Sequence, residues 1–329
     1  MAQVAVQEHN MALTFNHQTN EISNDGVITV GGVAVGGDNT PKWYGARYVH
    51  AGGASTVNVM DYVTIQTTGN ATDFGDLTVG RYLGAGTSNG SRGVFGGGYT
   101  GSNQDVIDYI TIGTTGNATD FGNMSVARRR MGSLSNGTRG VFAGGEGGNS
   151  NVMDYITIST TGNATDFGDL TQNSADGSAG VCDGTIGVFT TIGDDLYRTE
   201  KIIVATAGNA TDYGALSYYF TDATSNISDT TYGVFCAGLN QGSESRIERI
   251  TIATNGNGTD VGDLNTHNGS IGGGGGDASR GIVAGGDASA SGPSNVIQYL
   301  TIAASSGNAV DFGDLTRGVY RAAGGAAGT

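Results

Sequence analysis

Hydrophobic and polar residues alternate over short stretches along most of this chain, and closely similar stretches recur. In residues 153–158, Ile156 and Ile158 fall on one face of an extended strand, and Tyr155 and Thr157 fall on the other. Apolar spacings of three and four residues do not persist beyond a few positions, so long amphipathic helices are not predicted. The pattern predicts an all-β protein built from short strands.

A Gly-Asn-Ala-Thr-Asp-Phe-Gly core recurs with small changes after such strands. Its six copies begin at Gly69, Gly116, Gly162, Gly208, Gly256 and Gly307, which are 47, 46, 46, 48 and 51 residues apart. A second element, with the sequence Arg-Gly-Val-Phe-Gly-Gly from Arg92, recurs at about the same spacing. A fixed period of roughly 40 to 50 residues indicates a solenoid, a propeller or an array.

Each repeat is predicted to contain four strands. In the third repeat they fall at residues 128–135, 140–144, 152–158 and 164–171. Asn-Gly, Gly-Gly and Gly-Asn pairs lie between these segments, where hairpins need a positive φ angle. Four strands in a repeat of this length favour a propeller blade over one coil of a β-helix.

These features resemble the kelch repeat: a Gly-Gly doublet ends the second strand, a Tyr lies in the third, and a Thr-Gly-Asn turn precedes an aromatic fourth strand. The resemblance covers roughly Arg47 to the C-terminus and implies a six-bladed, kelch-like β-propeller. Phe, or in two repeats Tyr213 or Val261, stands where kelch usually has Trp. The sequence of residues 154–170 also resembles repeats in structural proteins of marine tailed bacteriophages.

The ends of the chain predict how the ring closes. Residues 317–325 align with residues 80–86, a first strand, so the C-terminal strand is expected to complete the blade that begins at Arg47. The propeller is then residues 41–329, closed by the C-terminal strand. Residues 1–40 do not match the repeat and are expected to form a β-rich arm. This arm either packs on the propeller or pairs with another chain, and we favour the second as a docking and oligomerisation device.

Composition narrows the classes of partner. The chain has 329 residues, of which 60 are Gly, and a net charge of −15. Acidic chains are poor binders of nucleic acid, and the one basic cluster, residues 128–130, is interpreted as packing between blades. No apolar run approaches the length of a membrane helix, and no signal peptide is visible, so we expect no membrane insertion.

Candidate chemistry is sparse, and no catalytic, cofactor-binding or metal-binding residue is assigned. Paired acids such as Asp73 and Asp76 recur in most repeats, which favours a structural turn over acid–base chemistry or Ca²⁺ binding. If the arm trimerises, His9 or His17 could hold a metal on the symmetry axis. The remaining residues considered for chemistry are two histidines and two cysteines, with no disulfide expected: His50, His267, Cys182 and Cys236.

Three local features leave alternatives open. Trp43, the only Trp, either wedges the arm against the first blade or is an exposed binding anchor. The fourth repeat has Thr190 and Thr191 in place of the Gly doublet, and either contacts a partner or has drifted. The run of five glycines at residues 272–276 is either a bulge or a loose strand.

The expected function is that of a non-enzymatic bacteriophage virion structural protein, in a tail, neck or capsid appendage. The arm would bind other virion proteins, the chain would be a homo-oligomer, and exposed propeller loops would contact host-surface glycans. The alternative is a bacterial extracellular glycan-binding lectin or adhesin. A third hypothesis, a glycan-active enzyme, would use carboxylates clustered at one end of the channel: Asp176, Asp183, Asp194 and Asp195.

Overall fold

Two compact units divide the chain, Met1–Pro41 and Lys42–Thr329. This computed structural model describes four short strands in the first unit, and residues 42–147, 151–174, 178–193, 196–217, 227–239, 243–266, 273–287 and 292–328 in the second. In the first unit, Thr14–Asn16 pairs with Glu21–Ser23, and Ile28–Val30 pairs with Val33–Val35. Both pairs are antiparallel hairpins of two strands.

The second unit is a six-bladed β-propeller in which every blade is a four-stranded antiparallel sheet. This confirms the predicted fold class. Strands are numbered here outward from the axis. In blades 1 to 3 they are Gly324–Gly328, Arg47–Gly53, Val57–Thr64 and Thr72–Asp76; Ala85–Ser88, Arg92–Gly96, Gln104–Thr111 and Thr119–Arg128; and Gly132–Ser135, Arg139–Ala143, Val152–Thr157 and Thr165–Asp169. In blades 4 to 6 they are Gly180–Cys182, Ile186–Gly193, Leu196–Ile203 and Thr211–Ala215; Ile227–Ser228, Tyr232–Leu239, Ser243–Thr251 and Thr259–Asp263; and Gly274–Gly276, Arg280–Ala284, Ser294–Thr301 and Val310–Val319.

Blade 1 is assembled from both ends of the propeller sequence. Its first strand, Gly324–Gly328, pairs antiparallel with Arg47–Gly53, and Gly325 lies opposite His50. The first strands of neighbouring blades contact one another all the way round the ring. The closure gives blade 1 the same four strands as the other five blades.

The hydrophobic core is divided into clusters, each of which lies between two neighbouring blades. Between blades 2 and 3, for example, Val94 and Ile107 pack with Phe142 and Ile156, all of them almost fully buried. Five further clusters fill the other interfaces in the same way. The alternating pattern of each strand therefore buries both faces of a blade near the axis, one face against each neighbour.

A belt of hydrogen bonds joins the blades at their outer strands. The turn before each fourth strand reaches back to the fourth strand of the preceding blade. Between blades 2 and 3, Gly162 N donates to Phe121 O (2.8 Å), Ala164 N donates to Asn123 O (2.8 Å), and Asn163 Oδ1 accepts from Asn123 N (3.1 Å). The Asn contact recurs at all six interfaces, through Asn70, Asn117, Asn163, Asn209, Asn257 and Asn308.

The second glycine of each repeat core lets the belt close. Gly122 has a φ of 146°, and a Cβ atom there would lie 2.4 Å from Gly162 O in the next blade. The equivalent glycines all meet the next turn within 2.3 to 2.6 Å: Gly75, Gly168, Gly214, Gly262 and Gly313. The recurrence of this glycine in the sequence therefore reflects the contact between blades rather than a local turn alone.

The glycine run in blade 6 accommodates a large side chain from blade 1. Tyr48 stands where the second strands of the other blades have Gly, and it is 1% exposed. A Cβ atom at Gly273 would lie 2.7 Å from the Tyr48 hydroxyl, and one at Gly275 would lie 2.9 Å from its ring. Within the described part of this run, residues 273–276, the glycines therefore make room for Tyr48, and Gly274–Gly276 is a paired strand.

The belt predicts that Gly122→Ala is strongly destabilising. The substitution adds backbone strain and a clash with Gly162 O, which together should cost about 3–5 kcal/mol of unfolding free energy. Chemical denaturation of the purified protein measures this. Gly101→Ala is the matched control, because Gly101 also has a positive φ (111°) but nothing within 4 Å of its Cβ position. Equal losses in the two variants would show that the belt contact contributes nothing.

Candidate functional site

One end of the axis is closed by Trp43. Its indole Nε1 donates to Ser228 Oγ in blade 5 (3.1 Å), and its carbonyl accepts from Ser88 Oγ in blade 2 (2.9 Å). In blade 4, a Cβ atom at Gly184 would lie 3.0 Å from the indole ring. A residue that touches first strands or first hairpins on several sides of the ring must lie across the axis. Trp43 is 7% exposed, so it is not an exposed binding anchor.

The paired acids of the fourth strands do not converge. Asp73 and Asp76 lie on the outermost strand of blade 1, exposed and half-buried respectively, and the other copies occupy the same position in their own blades. Among the described residues, no group of three or more His, Cys, Asp or Glu side chains could hold a metal ion. These repeated acids therefore form a rim around the ring rather than one site.

A second set of repeated polar residues is buried, and the sequence analysis missed it. One third-strand position, which precedes the Tyr in blades 1, 2, 3 and 6 and precedes Lys201 and Arg249 in blades 4 and 5, holds an acid or an amide in all six blades. Each of these residues is at most 3% exposed: Asp61, Asp108, Asp154, Glu200, Glu248 and Gln298. The recurrence of an acid or an amide at this position was the signal available in the sequence. The alternating pattern alone did not show that this position faces a neighbouring blade.

Each of these side chains accepts hydrogen bonds from the segment that arrives from the preceding blade. In blade 4, Glu200 accepts from Thr171 N (2.7 Å) and Thr171 Oγ1 (2.7 Å). In blade 1, Asp61 accepts from Thr316 N (3.2 Å) and Thr316 Oγ1 (2.8 Å). Neutral Gln298 accepts from the preceding segment in blade 6. The shared requirement is therefore a hydrogen-bond acceptor and not a negative charge.

Two of the buried acids also have an arginine partner. Arg81 Nη1 lies 2.7 Å from Asp108 Oδ2, and Arg128 Nη2 lies 2.7 Å from Asp154 Oδ2, with all four side chains fully buried. Burial lowers the pKa of Arg128, and Asp154 opposes that shift. In the basic run of residues 128–130, the first arginine thus joins two blades, as interpreted from the sequence, and Arg129 pairs with Glu146 near the surface.

In blade 4 the buried acid, Glu200, interacts among the described residues with hydroxyl groups and not with an arginine. Ser174 stands where Arg128 stands one blade earlier, and Thr191, which is fully buried, donates to Glu200 Oε1 (3.3 Å). The Thr190 hydroxyl accepts from Ala179 N in the first strand (2.7 Å). The two threonines that replace the Gly doublet therefore serve the interior of blade 4, and they are not a surface for a partner.

Arginine stacks on tyrosine across the second and third strands. The guanidinium carbon of Arg139 lies 4.1 Å from the ring centroid of Tyr155, and its Nη1 donates to Val204 O in the next blade (3.2 Å). Blades 1, 2 and 6 have the same pair. In blade 5 the two residues are exchanged, with Arg249 on the third strand and 4.2 Å from the ring of Tyr232 on the second. Such cation–π stacks contribute about 0.5–1 kcal/mol when partly exposed.

The turn that follows the third strand borders a groove. In blade 1 it encloses about 300 Å³, lined by Tyr62, Val63, Thr64, Thr67, Thr68, Gly69, Asn70 and Thr72. In blade 5 the equivalent positions, together with Tyr213, line a groove of about 290 Å³. Because the lining positions are the same, the backbone of the repeat creates the concavity.

His50 is buried at the closure of the ring. It is 2% exposed, and its Nδ1 lies 3.3 Å from the Tyr48 hydroxyl. Its Nε2 has no hydrogen-bond partner among the described residues. Burial, with a smaller contribution from the positive charge of Arg317, lowers the pKa of His50 to about 3. The histidine is therefore neutral at physiological pH.

Several residues considered in the sequence analysis lie outside the described residues: His9, His17, His267, Asp176, Asp194 and Asp195. Cys182 and Cys236 are buried and form no disulfide. No helix in the described ranges is long and apolar enough to cross a membrane. What the described residues bring together is thus a set of contacts between blades, a closed axis end and the turn grooves.

No function can be transferred to this chain from a family model or from a curated protein. No protein-family model matches the chain, and no curated protein is significantly similar to it.

The buried ion pair predicts that replacing a buried carboxylate with an amide changes the unfolding free energy by different amounts in blades 3 and 5. Asp154→Asn leaves the charge of Arg128 buried without a carboxylate and should cost about 3–5 kcal/mol of unfolding free energy. Glu248→Gln should be neutral or slightly stabilising at pH 7, because Glu248 has no buried arginine and its burial raises its pKa. Denaturation curves at pH 7 compare the two variants. Similar losses at both positions would contradict the separate role of the cation.

His50 predicts a loss of stability in acid. Because its folded pKa is about 3 and its ordinary pKa is 6.5, the unfolded state binds one more proton than the folded state between those values. Its contribution to the unfolding free energy should therefore fall by about 1.4 kcal/mol per pH unit as the pH drops below 6.5. In His50→Asn, which keeps an acceptor for Tyr48, denaturation from pH 7 to 4 should show a shallower slope. Parallel slopes would overturn this assignment.

Proposed function

We propose that this chain is a non-enzymatic structural protein of a bacteriophage particle, in a tail, neck or capsid appendage, which holds a rigid β-propeller at the surface. One observation carries the proposal: two sets of polar residues that recur in all six blades serve contacts between blades. Asn163 and its equivalents join the outer strands, and Asp154 and its equivalents join the inner part of the blades. These two recurring features of the sequence are thus accounted for by a scaffold.

The distribution of acids agrees with this proposal. An enzyme that uses paired carboxylates needs two of them within about 5–10 Å in a common cleft. Here the buried carboxylates are engaged by neighbouring backbone and hydroxyl groups, as Glu200 is by Thr171. The outer acids are spread around the rim, one group in each blade.

The N-terminal unit is the proposed attachment device. It forms a compact unit of its own and contains two short hairpins. A unit of about forty residues seldom buries enough surface to be stable alone, so binding to other virion proteins or to copies of itself would stabilise it. A net charge of −15 makes nucleic acid a poor partner.

Two measurements test this proposal. Mass spectrometry of purified particles whose genome carries this gene should detect the chain. In sedimentation experiments, the full chain should form a trimer or a larger oligomer, and Lys42–Thr329 should remain a folded monomer. Detection only in the particle-free fraction would overturn the virion assignment and favour the extracellular lectin or adhesin. Monomers in both samples would overturn the self-assembly of the N-terminal unit.

A further inference from the structure

We infer that the turn grooves of blades 1, 2 and 3 bind neutral, hydroxyl-rich ligands, namely the sugar residues of a glycan. This inference rests on the proposed function, because it names what a propeller held at a particle surface would contact. The argument uses the shape of the groove, its side chains and the differences between blades.

The groove is held in place before any ligand arrives. In blade 1, Gly69 N donates to Phe312 O (2.8 Å), Ala71 N donates to Asp314 O (2.7 Å), and Thr67 N donates to Thr64 O (3.0 Å). The first two bonds belong to the belt between blades, so the turn is anchored to the neighbouring blade. A volume of about 300 Å³ is at the lower end for small-molecule sites. A preorganised groove loses little entropy on binding.

The side chains of the blade 1 groove suit a sugar. Thr64, Thr67, Thr68 and Thr72 are exposed, and their hydroxyl groups form no hydrogen bond within the described part of the chain. Hydroxyl groups can both donate and accept, as those of a sugar do. None of the described residues that line this groove is charged, which favours a neutral ligand.

Tyr62 provides the aromatic wall of the groove. Arg47 holds the ring, with its guanidinium carbon 4.4 Å from the ring centroid, and Tyr62 remains half-buried. Sugars have apolar C–H faces beside their hydroxyl groups. A site that combines an amphipathic aromatic ring with several hydroxyl groups therefore fits both parts of such a ligand.

Blades 2 and 3 carry the same groove residues as blade 1, apart from Ile in place of Val63. In blade 2 they include Tyr109, Thr111, Thr114, Thr115, Asn117 and Thr119, and in blade 3 they include Tyr155, Thr157, Thr160, Thr161, Asn163 and Thr165. Blade 4 differs, because Lys201, Ile203 and Ala207 replace the Tyr and two of the threonines. Three adjacent blades thus carry the same set of groove residues, and grooves at all three turns would raise the avidity for a repeating glycan.

The test introduces residues that already occur at the equivalent positions of other blades. Thr72→Val, Thr119→Val and Thr165→Val follow Val310 in blade 6, and Thr68→Ala, Thr115→Ala and Thr161→Ala follow Ala207 in blade 4. The six changes are combined in the full chain. All six positions are exposed, so thermal unfolding should remain close to that of the unsubstituted protein. The matched control is Thr206→Ala with Thr211→Val in blade 4.

Binding is measured to immobilised mannan, galactan and β-glucan, with alginate as the acidic polysaccharide. The full chain should bind at least one neutral polysaccharide, the sixfold variant should bind it at least tenfold more weakly, and the control should bind it unchanged. Binding to none of the neutral polysaccharides, binding to alginate alone, or equal binding by the sixfold variant would overturn the inference. Detection of the chain in particles does not depend on this result, so the two proposals fail separately.

Discussion

The hydrogen-bonded belt between each turn and the preceding fourth strand is the constraint on which the propeller depends. A four-stranded blade has an outer edge with unpaired backbone groups, and such edges invite association with other chains. Here the turn of the next blade occupies part of that edge, as Gly162 and Asn163 do on the fourth strand of blade 2. One device therefore joins neighbouring blades and shields part of the edge. It also explains why Gly, Asn and Gly recur at fixed positions.

The architecture could be predicted because the sequence features that determine it lie close together within each repeat. The period, the four strands and the small residues of the first strand can each be read within one repeat, and the final residues resemble a first strand. The contacts that define the site could not be predicted in this way. Which residue Asp154 faces, or what lies over Gly184, depends on the neighbouring blade or on a residue far away in sequence. A pattern with period two assigns a face to a residue, and it does not identify the partner on that face.

Exceptions to the repeat come in compensating sets. Tyr48 in place of a glycine is matched by Gly273 and Gly275 across the interface. Tyr232 and Arg249 exchange positions and preserve the stack. In packed interiors a change in volume on one side must be accommodated on the other. Residues that leave the repeat pattern are therefore best interpreted together with the residues they touch.

The closure of blade 1 has a consequence for the order of folding. Arg47–Gly53 lies near the start of the propeller, and its partner Gly324–Gly328 is synthesised after all the strands of the other five blades. During synthesis, blades 2 to 6 can pair their own strands, whereas blade 1 has no inner strand until residues 324–328 have been made. Ser228, which accepts a hydrogen bond from Trp43, is also made long after the tryptophan. The ring thus completes itself in one late step, and until then the nascent chain exposes a strand edge that chaperones would be expected to protect.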